Sequence, residues 1–199
     1  MKKQIFTLAV GIIMCLSHSY AQVVVFNSNF EDWTGNVPNG WFGPSTTLEA
    51  DSVMPYTVSV NSGSYACRLK NNSNAFKIVS TQAFGVEQGL TYAVSIRLRG
   101  ESMFLACKVN IDGTDHALTA LNGTVNTTEW TYRTAFFTAQ ANSNNAEFSF
   151  IVRQTKPDKD DLQIDDVLIY VVEPDEFLDI NDIKAMFHVS GSLFWNPIN

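Results

Sequence analysis

The sequence predicts an all-β chain: a two-sheet antiparallel β-sandwich followed by a truncated β tail. Three observations carry this. From Val23 to Val172, apolar and polar residues alternate in short runs, as strands with one wet face do. Turn-forming clusters separate those runs about every 8–12 residues. No helical period of comparable length interrupts the pattern.

In order, Val23–Phe30 reads as the first strand, followed by the turn-rich Thr34-Gly35-Asn36-Val37-Pro38-Asn39-Gly40. Tyr65–Leu69 alternates until Asn71-Asn72-Ser73-Asn74 breaks it. Phe76–Phe84 and Thr91–Arg99 follow, divided by Gly85-Val86-Glu87-Gln88-Gly89. In the second of these, Tyr92, Val94, Ile96 and Leu98 share one face, and Ser95, Arg97 and Arg99 the other. Phe104–Ile111 ends at Asp112-Gly113, a hairpin turn whose residues tolerate positive φ. Trp130–Thr138, Glu147–Arg153 and Leu162–Val172 complete the domain, assigned to residues 22–172. The run Asp158-Lys159-Asp160-Asp161 lacks the Gly and closing Glu of an EF-hand loop and reads as a solvated turn.

Residues 1–21 read as an export signal. Lys2 and Lys3 supply the positive start, and Ile5–Leu16 is an apolar run shorter than the about 20 residues a membrane span needs. Small residues Ser19 and Ala21 predict cleavage between Ala21 and Gln22. Cys15 follows Met14 instead of the small residue of a lipoprotein site, so it leaves with the signal. The mature chain is expected to be secreted or held at a bacterial cell surface, without membrane insertion.

The balance of 13 Lys+Arg against 20 Asp+Glu gives a net charge of −7. With no basic run, this excludes nucleic acid and anionic membrane as expected partners, because phosphate contacts need clustered cations. A content of 14 Phe, 6 Tyr and 4 Trp supplies a core and argues against disorder. Cys67 alternates in phase with Tyr65 and Leu69, and Cys107 with Leu105 and Val109. Two readings stand for them: a disulfide, which the exported compartment allows, or two small core hydrophobes. A two-cysteine metal site finds no nearby His or third Cys.

Glu173-Pro174-Asp175-Glu176 opens an acidic linker, assigned to 173–178. Beyond it, Ile183, Ala185, Phe187 and Val189 alternate with Lys184, Met186 and His188, and Leu193-Phe194-Trp195 begins another apolar run. A strand and half a hairpin cannot bury these aromatics alone. Residues 179–199 therefore read as the start of a second, truncated module, with further domains of a longer chain expected.

Two patterns frame the domain: Asn27-Ser28-Asn29-Phe30-Glu31 at its front and Ile164-Asp165-Asp166-Val167 at its back. Between them stand Asn39-Gly40-Trp41, Ser62-Gly63-Ser64-Tyr65, Gly89-Leu90-Thr91-Tyr92-Ala93-Val94-Ser95 and Glu129-Trp130. In this order the set resembles carbohydrate-binding modules of families 4, 9 and 22, which are jelly rolls of galactose-binding-domain-like type. The resemblance spans Val23 to about Val172. It implies adjacent first and last strands, and a polysaccharide on a concave sheet or in a groove at its edge. It also implies a structural calcium held by the Asn29 carbonyl, Glu31, Asn61, the Ser64 carbonyl and Asp165. Some members carry Glu where Asn61 stands, so the affinity expected here is modest. Asp166 is expected to point away from Asp165, since strand neighbours alternate. Trp41 and Trp130 occupy positions where the family places structural tryptophans. The tail is similar to a stretch ahead of longer domains in surface proteins exported by type IX secretion.

Sugar recognition needs an aromatic ring to stack on and polar groups for the hydroxyls. The candidates are Trp33, beside the first strand; Phe76, sharing a face with Ile78 and Ser80; and Phe104, sharing one with Lys108 and Asn110. Arg97, Arg99 and Lys108 are expected to face away from the core together, either toward a glycan or as a solvated face that discourages edge pairing.

Enzyme signatures are missing. There is no Gly-x-Ser-x-Gly, no His-Glu-x-x-His and no phosphate-cradling loop, and His116 is the only His between residues 22 and 172. The sequence thus points to a non-catalytic polysaccharide- or glycan-binding module; the alternative is a structural or adhesion domain of the same fold without a glycan ligand. Exposed aromatics on a sheet face favour the first.

Overall fold

The computed structural model describes residues 22–155 and 161–172. The expected export signal, the expected 158–161 turn (but for Asp161), and the segments read as linker and tail lie outside the described residues. The strands are β1 (Val24–Ser28), β2 (Trp33–Thr34), β3 (Val37–Pro38), β4 (Val53–Tyr56), β5 (Ala66–Leu69) and β6 (Lys77–Ser80). They continue with β7 (Phe84–Val86), β8 (Thr91–Ile111), β9 (Thr114–Ala117), β10 (Gly123–Thr138), β11 (Ser143–Gln154) and β12 (Asp161–Val171). Only β2 and β3 stand apart, as a small two-stranded sheet.

The remaining strands form one ten-stranded antiparallel sheet that curls into two layers, as expected of a sandwich. In the first layer β4, β5, β12, the front half of β8 and the back half of β10 lie in that order, with β1 also on β12. In the second, β6 and β7 pair with β11, β11 with the back half of β8, and that half with β9 and the front of β10.

The expected strands Thr91–Arg99 and Phe104–Ile111 are one strand of 21 residues, shared by both layers. It bends where Gly100 (φ 156°) and Ser102 (φ 61°) leave the extended region. The bend also reverses the phase. Tyr92, Val94, Ile96 and Leu98 face the core before it; Met103, Leu105, Cys107 and Val109 do so after it. The expected strand Phe76–Phe84 is split in two: Thr81 keeps its N–H on the Phe148 carbonyl while bridging Trp41, and Gln82 turns away to donate its N–H to the Gly40 carbonyl. Strand β4 went unpredicted because Pro55 interrupts it; on a sheet edge the missing N–H costs no ladder bond.

Trp41 plugs the core. It is 3 % exposed, stacks on Phe150 at 5.3 Å and Phe30 at 5.5 Å, and donates Nε1–H to Ser28 Oγ at 2.9 Å. Gly43 lets the chain leave Trp41 against β6: a Cβ there would lie 1.9 Å from the Thr81 carbonyl oxygen. Cys67 and Cys107 are buried free thiols in different strands, so they serve as core hydrophobes. Burial pushes both thiols above their usual range, which removes their thiolate reactivity.

Candidate functional site

The predicted glycan-binding residues other than Trp33 divide between the two outer faces of the sandwich. Because β8 reverses phase at its bend, Arg97 and Arg99 face out of the first layer and Lys108 out of the second. The expectation that these three cations share a face is therefore corrected. Trp33 stands on neither face: its Nε1–H is donated to the Phe30 carbonyl at 2.6 Å and its ring packs against the core.

The second layer brings Phe76 and Phe104 together. Their ring centroids are 6.0 Å apart at 70°, and the Arg153 guanidinium lies over both, at 4.8 Å and 5.5 Å. Phe76 is 55 % exposed. Arg153 pairs in register with Phe104, Ile151 with Ala106 and Ile78, and Ser149 with Lys108 and Ser80. An aromatic corner thus grades into a polar strip. The Lys108 charge is taken up by Asp115 at 2.7 Å, and that hydrogen bond, with one from Asn110, holds the Asp115 carboxyl below its usual range. Arg153 escaped sequence reading because its strand neighbours do not reveal that β6 and β8 bracket it.

The first layer's face carries Tyr132 (53 % exposed), Phe136 and Trp130 on β10, with Arg97 and Arg99 beside them on β8. Trp130, at a position where the family places a structural tryptophan, is half-buried and outside the core. The reason is phase: Ala135 and Phe137 point inward, so alternation turns Trp130, Tyr132 and Phe136 outward. Five buried side-chain polar atoms lack a partner among the described residues. They are Ser149 Oγ and Arg153 Nε on the second face, and Arg99 Nε, Trp130 Nε1 and Thr134 Oγ1 on the first. Ser149 is fully buried, whereas the other four belong to half-buried side chains. Unpaired polar groups of this kind are costly without water or ligand to meet them.

The residues expected around calcium converge on the loop 61–65. Asp165 is fully buried; its Oδ2 accepts N–H from Asn61 at 2.9 Å and Ser62 at 3.1 Å, and its Oδ1 accepts the Asp166 N–H at 2.9 Å. Glu31 Oε1 accepts N–H from Ser64 at 2.8 Å and Tyr65 at 2.9 Å. The glycine between them is required: at φ 63°, a Cβ on Gly63 would lie 2.2 Å from Glu31 Oε1. The Asn29 side chain accepts the Glu31 N–H at 3.4 Å. Asp166 does not point away. A bulge with φ 48° turns it to the same loop, where its oxygens accept from Asn61 Nδ2 and Ser62 Oγ.

Burial pushes the Asp165 carboxyl up to about 6, with the Asp166 charge adding to it and the N–H bonds opposing. Among the described residues no three His, Cys, Asp or Glu side chains cluster as a metal site. A cation would therefore draw on carbonyls and amides besides Glu31 and Asp165. Such a donor set suits calcium, and a buried carboxylate with a raised pKa is one that a cation would relieve.

A family model described as "Carbohydrate binding domain" matches residues 22–160. Among solved structures, the CBM22-1 xylan-binding domain from Paenibacillus barcinonensis Xyn10C is similar, with a TM-score of 0.55 and 14% identity. The match covers 77% of this chain and 97% of that one. The Clostridium thermocellum N-terminal endo-1,4-beta-D-xylanase 10B, CBM22-1-GH10 modules complexed with xylohexaose, matches with a TM-score of 0.54 and 18% identity. There 77% of this chain corresponds to 29% of that one. At these identities the likeness is one of fold. No curated protein sequence matches the chain.

Proposed function

As this chain belongs to the carbohydrate-binding domain family, we propose that it is a non-catalytic module that binds polysaccharide on the outer face of its second layer. The observation that carries this reading is the Phe76–Phe104 pair bracketing Arg153. The rings offer apolar stacking surface, and the Arg153 guanidinium over them, whose Nε has no protein partner among the described residues, offers N–H donors for sugar hydroxyls. The similar xylan-binding domains make xylan the first ligand to try, with β-glucan and galactan beside it. Affinity electrophoresis of residues 22–172 through gels of each polymer should show retardation by at least one, weakened by Phe104→Ala or Phe76→Ala. Free migration through all of them would favour a structural or adhesion role.

In this reading the chain is exported, its signal is removed after Ala21, and the module serves a longer surface or secreted protein. A structural calcium belongs to the same proposal. Glu31, Asp165, Asn61 and the carbonyls of Asn29 and Ser64 would hold it. The ion would supply charge neutralisation and a cross-link between the chain's first and last strands.

A further inference from the structure

The first layer's outer face carries a separate constellation, which does not depend on the Phe76–Phe104 platform. Along β8, Arg97 and Arg99 project from alternate positions, about 6.6 Å apart at the usual strand rise. The Arg97 guanidinium lies 4.7 Å from the Tyr132 ring centroid and makes no hydrogen bond or ion pair among the described residues. Arg99 donates to Ser59 Oγ at 2.5 Å, while its buried Nε finds no acceptor. A depression of about 470 Å³ surrounds Arg97, lined by Tyr132, Asn27, Asn61, Ser95 and Asp166. A second, of about 630 Å³, surrounds Arg99 with Tyr56, Gln163, Asn126 and Glu101.

Asp165 and Asp166 do not serve Arg97. Asp165 is opposite Arg97 in register but is turned under the 61–62 loop, with its oxygens on backbone N–H groups. Asp166 spends its two oxygens on Asn61 and Ser62. Glu101 lines the Arg99 depression and is its one carboxylate among the described residues. Arg97, over the Tyr132 ring, and Arg99, bonded only to Ser59 among the described residues, thus each line a depression on this face, on a chain whose overall charge is −7. A planar guanidinium matches a carboxylate in bidentate fashion, and an exposed ring beside it offers a stacking surface for a sugar.

We infer that this face is a second glycan site, selective for acidic sugars, with Arg97 and Arg99 pairing uronic-acid carboxylates and Tyr132 stacking on the sugar ring. The module would then engage one neutral and one acidic stretch of polysaccharide on opposite faces.

The test uses residues 22–172 in affinity gels of glucuronic-acid-substituted xylan, the same polymer after carboxyl reduction, and polygalacturonate. An acidic polymer should retard the protein several-fold more strongly than the carboxyl-reduced one, and salt should weaken that increment. Arg97→Gln with Arg99→Gln should abolish the increment and leave retardation by the reduced polymer intact. Phe104→Ala should do the reverse, so failure of the first platform and failure of this site are distinguishable. Tyr132→Ala, at an exposed position, provides a second variant should the double substitution fail to fold. Equal retardation by acidic and carboxyl-reduced polymers, or an acidic increment that survives both sets of substitutions, overturns the inference.

Discussion

Glu31 and Asp165, from the front and the back of the domain, hold the two ends of one short loop through its backbone N–H groups: Asp165 at Asn61 and Ser62, Glu31 at Ser64 and Tyr65. Because β1 pairs with β12, this clamp ties the loop to the seam where the domain closes.

Calcium should tighten that seam. Added to chelated protein, millimolar calcium is expected to raise the melting temperature by preferential binding to the folded state. Asp165→Ala should remove the increment. An unchanged melting temperature in the folded wild type would dismiss the metal site.

Without calcium, Asp165 makes stability fall as pH rises. Its carboxyl goes from an ordinary value of 3.8 to about 6 on folding, so the folded state binds the proton more tightly. Its contribution is complete below about pH 4 and lost as pH climbs through about 6, an effect of at most about 3 kcal/mol. Asp165→Asn should flatten this component relative to wild type in urea titrations at pH 4–7. Saturating calcium should reverse the sign, since the metal holds the carboxylate ionised. Identical pH profiles for wild type and Asp165→Asn would contradict the assignment.

The two family tryptophans should separate sharply. Trp41→Ala opens the core between Phe30 and Phe150 and is expected to cost about 3–5 kcal/mol. Trp130→Ala, outside the core, should cost clearly less by urea denaturation. Equal losses would return Trp130 to the core.

Phe76→Ala should weaken polysaccharide retardation several-fold, as about 0.5–1.5 kcal/mol of stacking is lost. Its melting temperature should barely move, since the ring is 55 % exposed. A variant that binds normally would remove Phe76 from the site.

Cys67 and Cys107 should be silent toward a thiol reagent in the native protein and react fully in denaturant. Reductant should leave the melting temperature unchanged. A reductant-sensitive transition would indicate a bridge.

What the sequence determined by itself follows from local rules. Alternation in Tyr92–Leu98 and Cys107–Val109 identified strands and their inward faces, because the strand period is two wherever the backbone stays extended. The family resemblance carried by the terminal patterns implied that Glu31 and Asp165 share one region, and both hold the loop 61–65. What only the tertiary structure decided lies where the backbone departs from that period or distant strands are set side by side. Gly100 and Ser102 bend β8, which sends Arg97 and Lys108 to opposite faces. The Asp166 bulge turns two neighbouring carboxylates onto one loop. Arg153 lies over Phe76 and Phe104 only because β6, β11 and β8 are neighbours in space. One residue in a left-handed conformation changes the face of everything after it, and no local pattern of side chains records which strand will pair with which.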